Sequence, residues 1–229
     1  MLSAIIFDFD GVIANSEPLH FRAYERVLAG VGVTLSEHDY FARYLGFDDV
    51  GAFEAIALDR GMTWTQHDVA ALVARKAIEL EALERDVSVL FPGAADAIAR
   101  AAAVVPIAIA SGARGEEIRR VLRREQLDAF FTAVVSAEDT PVSKPSPQPY
   151  LRALELLRAA RGAAIDAARC VAIEDSRWGL ESARGAGMRT IAVTNTYDKA
   201  ALTAYADVVI PSLATLDLEV VVSLVSDRA

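Results

Sequence analysis

Four acids, one serine and one lysine stand just beyond apolar runs of this chain, and their types suit a site that holds a cation and an anion together. Asp8 and Asp10, closed by Gly11, follow directly on Ala4-Ile5-Ile6-Phe7, and a second acidic pair, Glu174-Asp175, follows Cys170-Val171-Ala172-Ile173. Like charges converging at one edge repel one another, so these four acids imply a bound hard cation. Oxygen ligands without histidine or cysteine favour magnesium over zinc. Ser111-Gly112, after Ala108-Ile109-Ala110, offers a hydroxyl and flexible backbone able to donate to a phosphate or carboxylate. The plain alternative is that Ser111 caps the next helix. Lys144 lies in Ser143-Lys144-Pro145-Ser146-Pro147, where prolines limit local freedom around a residue that is more often solvated surface. Asp and Gly are also ordinary turn formers, so no one of these signals suffices alone.

The elements that must position these residues alternate. Ala4 to Phe7, Val104 to Ala110, Ala133 to Val135, Cys170 to Ile173 and Thr190 to Val193 read as strands, with Val208 to Ile210 as a further edge. Helices are expected from Pro92 to about Ala103, over Gly115 to Arg124, Pro147 to Ala160 and Ser176 to Ala186. Regular succession of strand and helix predicts an α/β fold, a doubly wound parallel sheet whose ligand lies at the carboxyl ends of the strands. Between Gly11 and Phe91 the strand signals give way to helical periodicity. Leu19, Tyr24, Val27, Leu28 and Val31 form one apolar stripe, Phe53 to Leu58 a second helix, and Gln66 to Leu83 a third. The expected division is a core of residues 1–14 and 88–229 with a small inserted helical domain of residues 15–87.

The 229 residues carry a formal charge of −9 and 53% hydrophobic content, the profile of an ordinary globular protein. That charge disfavours nucleic acid and anionic lipid as partners, and no basic run offsets it. An anionic substrate would need cations focused locally, through a metal ion or a placed lysine. The single cysteine, Cys170, excludes a disulfide framework and reads as a packed core thiol. The most apolar stretch, Ala101 to Ala110, is about half the length that spans a bilayer, so no membrane span and a cytoplasmic location are expected. Oligomeric state is left open, a monomer being compatible with everything above.

Taken in order, Asp8-Phe9-Asp10-Gly11, Ser111, Lys144 in a KPxPxxY context and Glu174-Asp175 resemble the four motifs of the haloacid dehalogenase superfamily. The helical insert after the first strand resembles its β-phosphoglucomutase-like and phosphoglycolate-phosphatase-like branch. The resemblance covers essentially the whole chain, and it implies roles. Asp8 would be the nucleophile, forming an aspartyl-phosphate, and Asp10 the general acid/base. Magnesium would be held by Asp8, the backbone carbonyl of Asp10 and Asp175, with Glu174 as a further ligand or a support behind them. Ser111, Gly112 and Lys144 would hold the phosphoryl oxygens of a small phosphate ester. Asp10 argues against dehalogenation, which needs neither the second acid nor a metal.

Specificity would reside in the cap. His20 stands where mutases of this branch carry a histidine, although a polar helix face is the preferred account of it. Arg43, Tyr44 and Phe47 are candidates for reaching the leaving group, with cap packing as the alternative, and a glycine-containing loop here, Leu45-Gly46-Phe47, can close as a lid. Asp48 and Asp49 replace a base that mutases use for a second phosphate, and Ala113-Arg114 stands where they have a lysine, for which Arg114 partly compensates. A phosphatase is therefore expected ahead of a phosphomutase, and both ahead of a catalytically silent binding protein on the same scaffold.

Overall fold

The computed structural model describes residues 1–45, 47–85, 87–162 and 164–226. In chain order the regular elements are β1 (Ala4–Phe7), α1 (Glu17–Ala29), α2 (Glu37–Asp39), a π-helical turn (Tyr40–Tyr44), α3 (Asp49–Arg60), α4 (Gln66–Glu84), α5 (Ala94–Ala102), β2 (Ile107–Ala110), α6 (Gly115–Arg124), β3 (Phe131–Val135), α7 (Gln148–Arg161), β4 (Cys170–Glu174), α8 (Arg177–Gly185), β5 (Arg189–Val193), α9 (Lys199–Leu202), β6 (Val208–Ile210) and α10 (Leu218–Ser226). Short 3₁₀ turns join several of them. The chain divides into two compact units, residues 1–15 with 89–229 and residues 16–88.

Among the described residues of the first unit, six strands form one parallel sheet in the order β3-β2-β1-β4-β5-β6. Runs such as AIIF, IAIA and CVAIE are apolar on both sides of the pleat because both faces are covered. Ile6, Ala108, Ala110 and Ala172 pack with Tyr150, Ala153, Leu154 and Leu157 of α7. Ile5, Phe7, Ile107, Ile109, Val171 and Ile173 alternate with them along the strands and are equally buried. The strand order reverses beside β1: the chain moves from β1 to β2 and β3, then crosses to the other side with β4. The carboxyl ends of β1 and β4 thus flank the topological switch point, where open α/β sheets bind ligands.

Strand β2 starts later than the apolar run suggests. Val104 and Val105 lie in the turn after α5, and Pro106, lacking an N–H, cannot join a ladder as donor; it only accepts, from Ile5 N at 3.3 Å. Helix α5 likewise starts at Ala94, leaving Pro92 in the preceding turn.

The second unit is helical, with α1 packed along α4 and α3 against α4. Its core holds Tyr24, Val27, Leu28, Phe53, Ile56, Val69 and Leu72, the residues that recur at helical spacing. Thr65 and Asp68 cap α4 reciprocally, and the Asp48 side chain accepts from Gly51 N to start α3.

Candidate active site

The two central strands end in acids. Asp8 extends β1 by donating its N–H to the carbonyl of Ile173 at 2.9 Å, and Glu174 and Asp175 close β4 one position further on. Between them comes Lys144, whose Nζ lies 2.8 Å from Asp8 Oδ1 and 2.6 Å from Glu174 Oε1. All four side chains are buried or nearly so, which strengthens each attraction by excluding water. Burial works against the Lys144 charge, but Asp8 and Glu174 overcome it and hold the ammonium above its usual range. Glu174 is raised by burial and by Asp8, with Lys144 and Tyr150 pulling the other way. Asp175 is pushed well above the ordinary carboxylate range by burial first, then by Glu174 and Asp8.

Close approach of these acids depends on two glycines. Gly11 has φ of 75°, and a β-carbon there would overlap Asp175 Oδ2. At Gly179, in the first turn of α8, a β-carbon would overlap the Glu174 carboxylate. The glycine that closes the first motif thus makes room for the fourth.

Asp8, Glu174 and Asp175 each bring a carboxylate oxygen within 4.8 Å of the others. Three carboxylates against one ammonium leave the pocket net negative, and the elevated Asp175 reports the cost of keeping them together. An all-oxygen donor set with that deficit fits a hard divalent cation. Asp10 is half-buried and its backbone bridges to Ala14, so its carboxylate is not one of the three; its expected share in metal binding is through the carbonyl.

Ser111 follows β2 and is buried, donating its backbone N–H to the Val135 carbonyl and accepting from Ala113 N at 3.0 Å on Oγ. Helix α6 starts four residues later, with Arg114 in the cap position, so Ser111 is not its cap. Gly112 is exposed with open space around it. Arg114 Nε lies 3.6 Å from Glu138 Oε1, and the other oxygen of Glu138 accepts from Gly115 N at 3.1 Å. Glu138 thus accepts from the start of α6 next to the serine loop, while the Arg114 guanidinium near it stays largely exposed.

In the helical unit, His20 Nδ1 is 2.8 Å from Nζ of the wholly buried Lys76, which also bonds Asp49 Oδ1 at 2.7 Å. Tyr24 donates to the same oxygen at 2.7 Å. Burial opposes ionisation of Asp49, yet Lys76, Tyr24 and His20 hold its carboxyl below the usual range. Arg43 pairs with Asp59 at 2.5 Å, and the buried Tyr44 donates to that same carboxylate at 2.6 Å, so both are engaged in packing this unit. Phe47 is about half exposed, and Gly46 beside it lies outside the described residues.

Three further residues belong to the core site. Tyr150 is fully buried and donates to Glu174 Oε1 at 2.7 Å. Asn195 Nδ2 donates to the Gly11 carbonyl at 2.8 Å, and Thr196 hydrogen-bonds Asp175. Asn195 and Thr196 follow β5, and their signal was the one used for the other motifs, polar residues after a strand. Tyr150 closes the KPxPxxY context of Lys144, but it also reads as one inward position of a helix with Leu154 and Leu157, which gives no sign of its bond to Glu174.

The haloacid dehalogenase-like hydrolase family matches residues 5–193. The chain belongs to that family. Among its relatives, this haloacid dehalogenase-like protein is 33% identical over 192 residues to hexitol phosphatase B of Escherichia coli, covering 83% of this chain and 82% of that one. It is 28% identical over 193 residues to a phosphorylated carbohydrates phosphatase of Thermotoga maritima, covering 83% and 84%. In structure it resembles CbbY of Rhodobacter sphaeroides in complex with xylulose-(1,5)bisphosphate, with a TM-score of 0.80, 27% identity and 94% and 96% of the two chains covered. Among the described residues, no helix of this haloacid dehalogenase-like chain is long and apolar enough to cross a membrane.

Proposed function

We propose that this protein is a magnesium-dependent phosphatase that hydrolyses a small sugar or polyol phosphate through an aspartyl-phosphate on Asp8. The observation that carries the reading is the meeting of Asp8, Lys144, Glu174 and Asp175 at the switch point of the sheet. The names of its relatives support the substrate class: a hexitol phosphatase and a carbohydrate phosphatase stand among them. An acid that attacks phosphorus needs its own charge and that of the phosphoryl group held in balance, and phosphoryl transfer is mainly such positioning.

Asp8 attacks phosphorus while Lys144 and Ser111, with the backbone of Gly112, hold the phosphoryl oxygens. Asp10 protonates the leaving oxygen and later takes a proton from the attacking water. Asp8, Asp175 and the Asp10 carbonyl would hold magnesium, with Glu174 beside them, and the ion supplies positive charge to the phosphoryl group when bound. Acids at Asp48 and Asp49, and Ala113-Arg114 in place of a lysine after Ser111, support a leaving group without a second phosphate, and hence hydrolysis ahead of mutase chemistry. The reading is of a cytoplasmic enzyme whose partner is its phosphate ester.

The test is phosphate release from a panel of hexitol, hexose and pentose phosphates and phosphoglycolate, with magnesium and with chelator, for the native chain and Asp8→Asn. Metal-dependent release by the native chain alone is expected. Interconversion of a hexose 1-phosphate and 6-phosphate on addition of a bisphosphate primer, without release, would replace the phosphatase by a mutase. Neither activity would leave a binding protein.

A further inference from the structure

We propose that Tyr150 is a positioning residue: its hydroxyl fixes Glu174 as a brace for Lys144 and thereby keeps Glu174 from ligating the cation. The inference rests on the reading of Asp8 as nucleophile and adds to it a division of labour between the two acids that close β4.

A carboxylate offers about four lone-pair directions. Those of Glu174 all meet donors of the protein. Oε1 accepts from Lys144 Nζ at 2.6 Å and from Tyr150 OH at 2.7 Å. Oε2 accepts from Asp175 N and from Ser176 Oγ, both at 3.3 Å. Gly179 lies against the far side of the carboxylate so closely that not even a β-carbon would fit. The group is therefore saturated by hydrogen bonds and confined by backbone. Asp175 differs, since the hydrogen bond to its carboxylate comes from Thr196, in the loop after β5. Of the two acids, Asp175 is the one with capacity left for a cation.

Tyr150 is suited to this task by where α7 begins. Six residues after Lys144, and past Pro145 and Pro147, the first turn of α7 brings the ring beneath the ammonium, 5.4 Å from Nζ to the ring centroid. The ring face attracts the cation while the hydroxyl at its edge bonds the carboxylate that the cation also bonds. Lysine, glutamate and tyrosine thus close a triangle, each side of which is a direct contact. Its outward product is a single ammonium position, 2.8 Å from Asp8 Oδ1. Loss of the hydroxyl opens one lone pair of Glu174 toward its acidic neighbours and frees Lys144 to follow.

The test is Tyr150→Phe, which keeps the ring and removes one donor. Expected are a retained melting temperature, a fall in kcat of about tenfold, in the range for loss of an outer partner of a metal site, and tighter binding of Mn²⁺ by about threefold or more. Mn²⁺ binding is read by electron paramagnetic resonance without substrate, so it does not depend on turnover. Gly179→Ala, which presses on the same carboxylate with Tyr150 intact, is the second variant and is expected to lower kcat to a similar extent. A kcat and Mn²⁺ affinity of Tyr150→Phe both within about twofold of the parent would overturn the proposal. Loss of kcat with unchanged Mn²⁺ affinity would also overturn it, since that is the mark of general loosening. A native chain that binds Mn²⁺ but releases no phosphate would refute the catalytic reading, and the Mn²⁺ comparison would still decide the brace.

Discussion

Replacing Lys144 by methionine removes one charge and little volume, so its effect isolates the electrostatics of the site. The ammonium serves two buried carboxylates, at 2.8 Å from Asp8 and 2.6 Å from Glu174, with Asp175 in the same cluster. Breaking a buried pair by removing one partner costs about 3–5 kcal/mol, because the remaining charge is left without compensation. The two pairs share one cation, and Glu174 keeps its bond from Tyr150, so the cost is not doubled. In melting temperature this corresponds to a fall of about 6–20 °C for a unit of this size. The loss must depend on pH. Glu174 and Asp175 already have raised folded values, and an acid of that kind contributes stability that is full below its unfolded value and lost as pH rises through the folded one. Without Lys144 both rise further, so the deficit relative to the native chain grows from pH 5 to pH 8. Urea unfolding of Lys144→Met and parent, followed by far-ultraviolet circular dichroism in chelator at both pH values, measures it. Saturating Mg²⁺ is expected to return part of the loss by mass action. A deficit below about 1 kcal/mol at pH 8, or one equal at the two pH values, would refute the assignment of uncompensated buried charge.

Gly11→Ala is expected to lower Mn²⁺ affinity at least about tenfold and stability by about 1–3 kcal/mol, because it combines a φ of 75° with displacement of Asp175; a metal titration and urea unfolding check both. Lys76→Met strands Asp49 in the helical unit and is expected to cost about 2–4 kcal/mol, most of it recovered in Lys76→Met with Asp49→Leu, as a double-mutant cycle by chemical unfolding would show. Burial pushes the Cys170 thiol up to about 12, so it is expected to resist a disulfide reagent at pH 8 in the native protein and to react at once in denaturant, followed by absorbance.

Strands were the most legible part of this chain, because a parallel sheet covered on both faces writes itself as unbroken apolar runs such as Ala4-Ile5-Ile6-Phe7. The run before β2 misled by the same logic: Val104 and Val105 are apolar and β-branched, but Pro106 interrupts the donors. The π-helical turn Tyr40–Tyr44 left no trace in periodicity, since its five residues are too few to show any period. Helix α10 is equally hard to see in sequence, its run Val220-Val221-Val222 favouring strand by local preference while its place in the fold makes it helix. At the site, Asp8, Lys144, Glu174 and Asp175 were singled out by type and position, and the structure brings them together. Tyr150 closes the KPxPxxY motif, but its bond to Glu174, like that of Lys76 to Asp49, is not legible, because a tyrosine or lysine on a helix does not announce a partner far away in sequence.

The chain leaves the sheet unit after Asn15 and re-enters it at Val89, and there Asn15 N donates to the Val89 carbonyl at 2.6 Å while Ala14 bridges to Leu90. Departure and return are thus neighbours, pinned side by side whatever happens in the 73 residues between them. An insertion anchored in that way costs the host little as it lengthens, because closure entropy grows only with the logarithm of loop size. The consequence is an evolutionary one. Because both ends of the insertion are held by the sheet unit, one helical segment can be exchanged for another of different length without re-registering a single strand of the sheet.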